Sequence, residues 1–246
     1  CMINTASGDK FNVDPKLGPY QPEGYLLLLP GSPAVEGGNP KVPGSGGVAC
    51  PTRDQRGVVR PQGVLCDVGA VELELYDAPP LHIKSTGERD GWILELSENS
   101  TAGGTMSSTG HLLVGDDDSN KQYRSILYFD TNALPNYAVI IKVTLKIKKQ
   151  GLTGTNPFSS HGGLLADLRK GYFGAAALEI KDFQATASKS NAGMFNTVAG
   201  APGWYQLILG MPDFKYLNRI GITQFRLRFE KDDDNDRKAD YVKFYS

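Results

Sequence analysis

Residues 138–150 alternate more strictly than any other stretch of the chain. Val139, Ile141, Val143, Leu145 and Ile147 fall on one side of an extended backbone, and Lys142, Thr144, Lys146 and Lys148 on the other. A period of two is the signature of a strand with one face in a core and the other in water. The same period recurs along the chain. Trp92, Leu94 and Leu96 alternate with Ile93, Glu95 and Ser97, and Tyr123, Ser125, Leu127 and Phe129 with Arg124, Ile126, Tyr128 and Asp130. Phe225, Leu227 and Phe229 alternate with Arg226, Arg228 and Glu230, and residues 204–209 and 241–245 also read as strands. Only residues 175–187 carry helical composition, which predicts one short helix. Turn formers are plentiful, with 29 Gly and 15 Pro. Many short strands, regular turns and almost no helix specify an all-β sandwich or barrel.

Charge excludes several partners. With 26 basic and 27 acidic residues among 246, there is no electrostatic footprint for nucleic acid. The longest apolar run, residues 25–29, falls far short of the roughly 20 residues that cross a bilayer. The chain opens on Cys1, which reads as a fragment or processed form, or else as the acylated residue of a lipoprotein. Cys50 and Cys66 bracket a polar loop rich in Pro and Gly. Closing a loop of about 15 residues is worth roughly 3 kcal/mol, and a loop without its own core benefits from such a staple. A Cys50–Cys66 disulfide is therefore expected, the alternative being two reduced thiols in a cytosolic protein. No CxxC or Cys/His cluster suggests zinc. The sequon Asn99-Ser100-Thr101 matters only in a glycosylating host.

The composition changes near Asp77-Ala78-Pro79-Pro80, where paired prolines cannot continue a strand. This divides the chain into residues 1–80 and 86–246. The first part contains Leu29-Pro30-Gly31-Ser32-Pro33-Ala34-Val35, Cys50-Pro51-Thr52-Arg53-Asp54-Gln55-Arg56-Gly57, Arg60-Pro61 and Cys66-Asp67-Val68-Gly69-Ala70-Val71-Glu72. In these blocks residues 17–72 resemble the C-terminal end of bacterial right-handed parallel β-helix proteins of the choice-of-anchor or polymorphic-outer-membrane type. The resemblance implies a final rung with a disulfide-bearing cap over otherwise unpaired backbone groups.

The second part contains Asp90-Gly91-Trp92, Gly115-Asp116-Asp117, residues 123–130 (YRSILYFD), Leu134-Pro135, residues 143–147 (VTLKI) and residues 239–246 (ADYVKFYS). With these it resembles the DNRLRE-type domain, a jelly roll related to carbohydrate-binding modules of secreted proteins. The name motif is not literally present, and its nearest counterpart is Arg226-Leu227-Arg228-Phe229. The resemblance implies a jelly-roll sandwich, an extracellular or cell-surface location and carbohydrate binding. Family members continue into one more strand, so a final strand that is absent, or donated by another copy of the chain, is also expected.

Acidic side chains concentrate at Asp116-Asp117-Asp118 and at Asp232-Asp233-Asp234-Asn235-Asp236. Hard cations such as Ca²⁺ take six to eight oxygen ligands. Asp232, Asp234 and Asp236, joined by Asp240 and Glu95 if the first and last strands of the domain pair, form a candidate Ca²⁺ site of structural character. The plainer alternative is a solvated acidic turn. The loop lacks the Gly and terminal Glu of an EF-hand.

Sugar rings stack their C–H faces on exposed aromatic rings. Tyr128, Tyr241 and Tyr245 fall on faces read as solvent-exposed, with Arg226 and Arg228 as charged outward neighbours, and these five are the candidate glycan contacts. Outer-face charges also keep sheets from aggregating, so the Arg and Lys rows have a second explanation. His82, His111 and His161 are scattered, and no GxSxG, HExxH or P-loop occurs. A binding or adhesion module without catalytic activity is the first expectation, with extracellular polysaccharide as partner. A self-assembling structural subunit of a fibre, sheath or surface layer is the second.

Overall fold

A computed structural model describes residues 12–29, 31–74, 80–108, 110–134, 140 and 142–246. Cys1, Val139, Ile141, Pro30, Pro135 and the Asp77–Pro79 part of the linker lie outside the described residues. The chain forms two compact units, one reaching to Pro80 and the other built from Leu81–Asn136 and Lys142–Ser246.

The first unit holds one short antiparallel hairpin, β1 (Leu17–Tyr20) with β2 (Leu26–Leu28), and an isolated bridge between Arg53 and Val59. Its remaining described residues are turns and loops. Cys50 and Cys66 form the expected disulfide, with Cα atoms 6.6 Å apart. Carboxylates organise the loops. Asp54 Oδ1 accepts the amide N–H groups of Arg56 and Val58 at 2.8 and 2.9 Å, and Asp54 Oδ2 that of Glu72 at 2.9 Å. Glu72 accepts from the amides of Gln62 and Asp67, both at 2.9 Å, and stands 3.5 Å from Arg60 Nε. Asp67 accepts from those of Glu36 and Leu73. Backbone donors that no strand pairs are thereby satisfied, as burial requires.

The second unit is all-β. Its strands are β3 (Gly91–Glu95), β4 (Gly103–Ser107), β5 (Leu112–Asp116), β6 (Gln122–Asp130), β7 (Thr144–Thr153), β8 (Leu164–Lys170), β9 (Lys189–Met194), β10 (Asn196–Thr197), β11 (Trp204–Ile208), β12 (Ile222–Phe229) and β13 (Asp240–Phe244). All pairings are antiparallel, in the order β10-β11-β7-β13-β5-β6-β12-β8-β9, and β3 pairs β6 with β4 beyond it. The two ends of this path, β9 and β10, are separated in the chain by Phe195 alone, whose N–H bonds Leu164 O at 2.8 Å. The sheet is therefore nearly closed upon itself.

The alternation around residue 145 does what its period dictates, as far as Lys148. Leu145 and Ile147 are buried while Lys146 and Lys148 are exposed. Beyond that point β7 exchanges its partner β11 for β13, and the register slips between Lys243 and Phe244. Inside, Phe158 of the single-turn α1 (Pro157–Ser160) stacks on Tyr205 at 4.8 Å and meets Phe229 edge-on at 5.1 Å. Tyr205 in turn meets Phe244 at 5.8 Å. Phe229 and Phe244 are essentially without solvent contact.

Residues 175–187 correct the expectation of a helix, since only Ile180–Phe183 wind, as a 3-10 turn. Phe173, Leu178 and Phe183 insert into a second apolar cluster with Ile93 and Ile126. The carbonyls that a helix would use are taken by guanidinium groups, one buried and one half-buried. Arg226 Nη1 donates to Asp182 O at 3.1 Å and Ala185 O at 2.8 Å, and Arg124 Nη1 to Phe183 O at 2.9 Å. The last strand, β13, is hydrogen-bonded on both sides, to β5 and to β7.

Candidate functional site

Two places in the second unit gather chemistry. The first is where β5 ends and β13 begins. The antiparallel register sets Asp240 opposite Asp116, and both carboxylates are buried. Gly115 makes this approach possible: its φ of 135° and a Cβ contact of 2.7 Å with Tyr241 Cα leave no room for a side chain. Thr155 N donates to Asp240 Oδ1 at 2.6 Å, and Asp240 N to Asp116 Oδ1 at 3.2 Å. Among the described residues Asp240 Oδ2 and Asp116 Oδ2, both buried, have no hydrogen-bond partner.

His161 follows α1 and is fully buried. Its Nε2 lies 3.2 Å from Asp116 Oδ1, within ion-pair range but not aligned as a hydrogen bond, and its Nδ1 is 2.7 Å from Ser160 Oγ. Burial opposes a charged imidazole, yet Asp116, reinforced by Asp234 and Asp240, holds His161 above its ordinary range. Burial raises the carboxyl of Asp116, against the opposing pull of His161 and the Asp240 amide. The loop between β12 and β13 brings ligand atoms of Asp234 and Asp236 within 4.8 Å of one another and of Asp240. Asp236 Oδ2 pairs with Lys238 Nζ at 3.0 Å on the exposed side.

The structure thus brings together Asp234, Asp236 and Asp240 of the five expected acidic residues. Asp232 and Glu95 stand outside this group. Asp232 is exposed, and Glu95 is buried on β3, where Glu95 Oε2 accepts the Gln122 amide at 3.1 Å. The condition placed on Glu95 is not met, because β3 pairs with β4 and β6 and not with β13. Asp116 and His161 lie beside Asp240 instead, Asp116 through the Asp240 amide and His161 through Asp116. Asp116 is legible only as one of three consecutive Asp, and His161 carries no spacing signal, because tertiary pairing alone places them beside Asp240.

The second place is the solvent side of β13, β7 and β11. Tyr241, Lys243 and Tyr245 alternate with the buried Asp240, Val242 and Phe244. Trp204 on β11 is the cross-strand partner of Lys148 on β7, and Tyr245 N bonds Lys148 O at 3.0 Å. Lys148 Nζ sits 5.8 Å from the Trp204 ring centre and 5.9 Å from that of Tyr245. Trp204 is 37% and Tyr245 51% exposed. Further along, half-buried Tyr241 meets Tyr123 edge-on at 5.4 Å, Tyr123 meets Trp92 at 5.3 Å, and Lys243 Nζ lies 5.7 Å from the Tyr241 ring.

Tyr128 and Arg226 do not lie on a solvent face, and this corrects their placement. Tyr128 is 7% exposed and stacks on Tyr172 with Arg89 over its ring. Arg226 is 5% exposed, paired with Asp167 Oδ2 through Nη2 at 2.7 Å and lying over Phe173 at 4.6 Å. The segment carrying Phe173 and Phe183 covers this side of β6 and β12, so a face that alternation assigns to water is a second buried layer. Arg228 is half-buried, 3.7 Å from the same Asp167 oxygen and bonded to Asn191 Oδ1. Comparison with known protein families and with curated proteins finds no match to this chain.

Proposed function

We propose that the second unit is a non-catalytic polysaccharide-binding or adhesion module of an extracellular protein. The observation that carries this is the row Trp204–Lys148–Tyr245, continued by Lys243 and Tyr241, on one side of adjacent strands. Rings fixed on strands lose little freedom when a sugar face stacks on them. The ammonium groups between them add affinity for acidic sugars. The nearly closed antiparallel sheet accords with a jelly roll. In the first unit, loops whose amides are capped by Asp54, Asp67 and Glu72 suit the end of a β-helix. The disulfide fits an oxidising compartment, and among the described residues no helix is long and apolar enough to cross a membrane.

The test is binding to a panel of immobilised neutral and acidic polysaccharides by the wild type, Trp204→Ala and Tyr245→Ala. Specific saturable binding is expected, weakened about tenfold or more in each variant, with a melting temperature changed by no more than about 2 °C. Absence of binding by folded protein to every polysaccharide, or equal binding by all three proteins, overturns the proposal. In that case self-association in light scattering would favour a structural subunit.

A further inference from the structure

Buried like charges demand an explanation. Asp116 and Asp240 face each other across β5 and β13, a like-charged cross-strand pair that destabilises a sheet unless something offsets it. Both are at most 1% exposed, and each has one carboxylate oxygen, Oδ2, with no hydrogen-bond partner among the described residues. An ionised oxygen withdrawn from water without a partner is among the costlier features a fold can carry. Asp234 and Asp236 add two more carboxylates within 4.8 Å of that of Asp240. Against these four negative charges the neighbourhood supplies His161, which faces Oδ1 of Asp116 and leaves Oδ2 free, and Lys238, which lies on the exposed side of Asp236.

We propose that Asp234, Asp236 and Asp240 bind one hard divalent cation of the Ca²⁺ class, which fastens the β12–β13 loop to the start of β13, beside the buried Asp116 at the end of β5. The donors are carboxylate oxygens, which Ca²⁺ prefers, and water and backbone carbonyls complete its six to eight ligands. One donor, Asp240, is set rigidly by strand pairing, and two come from a loop that can adjust to a large ion. Mg²⁺ is disfavoured because it needs near-ideal octahedral geometry and dehydrates reluctantly. His161 is assigned as the ion-pair partner of Asp116 and not as a metal ligand, since its Nε2 stands 3.2 Å from Asp116 Oδ1. The cation has a local structural consequence. Asp240 opens β13 and precedes Tyr241, so the ion fixes the start of the strand that carries the aromatic row. This inference does not depend on glycan binding.

The experiment uses the full chain stripped with EDTA. Binding of Ca²⁺, Mg²⁺ and Zn²⁺ is followed by calorimetry, and thermal unfolding by tryptophan fluorescence. One Ca²⁺ per chain is expected, with a melting temperature raised by roughly 5 to 10 °C at a hundredfold excess over Kd. Asp240→Asn should abolish binding. Asp234→Asn and Asp236→Asn, on the more accessible loop, carry the decision if that buried variant does not fold, and each should weaken binding at least tenfold. Asp232→Asn should leave it unchanged. Absence of both heat and thermal shift with Ca²⁺ overturns the inference. So does Ca²⁺ binding that survives Asp234→Asn and Asp236→Asn together, or Zn²⁺ binding at this site that is lost in His161→Asn.

Discussion

The two units bury different mixtures of groups. Among the described residues of the first, the buried side chains are Leu28, Cys66 and Val71 on the apolar side and Ser32, Asp54, Arg60, Asp67 and Glu72 on the polar side. The second buries Phe183, Phe229, Phe244, Ile93, Ile126, Leu227 and many others beneath a continuous sheet. Backbone amides meet strand carbonyls in the second unit, whereas in the first they meet Asp and Glu side chains. The difference shows how loops without a ladder can still be ordered. Each carboxylate accepts two or three N–H groups, which replaces part of what a strand partner provides, and the disulfide removes freedom from the unfolded chain.

This contrast can be broken in three places. The largest effect is expected from Phe229→Ala, which removes the ring that meets both Phe158 and His161. It should destabilise the second unit by about 4 to 5 kcal/mol. Both tryptophans, Trp92 and Trp204, belong to that unit, so denaturant unfolding followed by tryptophan fluorescence reports on it alone. A loss below about 1 kcal/mol would mean that these rings are not its core.

Next comes Glu72→Ala in the first unit. It strands the amides of Gln62 and Asp67 and leaves Arg60 without its carboxylate. Breaking a buried pair costs about 3 to 4 kcal/mol. Hydrogen exchange should therefore rise throughout residues 54–73 while the fluorescence transition stays in place. Exchange unchanged in those residues would show that the disulfide alone orders the loops.

The smallest effect concerns a carboxylate used in the second unit in the manner of the first. Asp90 Oδ1 accepts the Tyr128 amide at 2.7 Å, and burial, only partly offset by Ser85 and that amide, raises its pKa from 3.8 to about 6. An acid with a raised folded-state pKa binds more protons folded than unfolded between about pH 4 and 6. Acidification through that window therefore stabilises the fold, and the penalty is complete above pH 6. Asp90→Asn keeps the accepting oxygen and cannot ionise. Relative to it, the wild type should lose at most about 3 kcal/mol between pH 4 and pH 7. Parallel stability–pH curves for the two proteins would remove the buried ionisation as the cause.

The strand alternation made the all-β class legible, and the pair Cys50 and Cys66 made the disulfide legible, because both depend on local pattern. Three of the five expected acidic residues also meet, since Asp234, Asp236 and Asp240 belong to one loop and the strand it enters. Tyr245 keeps its exposed place, on the side opposite the buried Val242 and Phe244. Tyr128 and Arg226 were misplaced by the same rule, because a period of two tells which side chains share a face but not whether water or another segment covers it. Residues 173–187 cover that face, drawn there by Phe173 and Phe183 and held by carbonyl bonds to Arg124 and Arg226.

The sequence by itself therefore determined strand period, turn chemistry and the disulfide, which are properties of near neighbours. Tertiary structure alone decided that Asp116 stands opposite Asp240 with His161 beside it, and that Trp204, Lys148 and Tyr245 form one row. These groups come from strands dozens of residues apart. Their meeting is set by the register in which those strands close into a sheet, and that register is fixed by the burial of the whole set of apolar side chains at once.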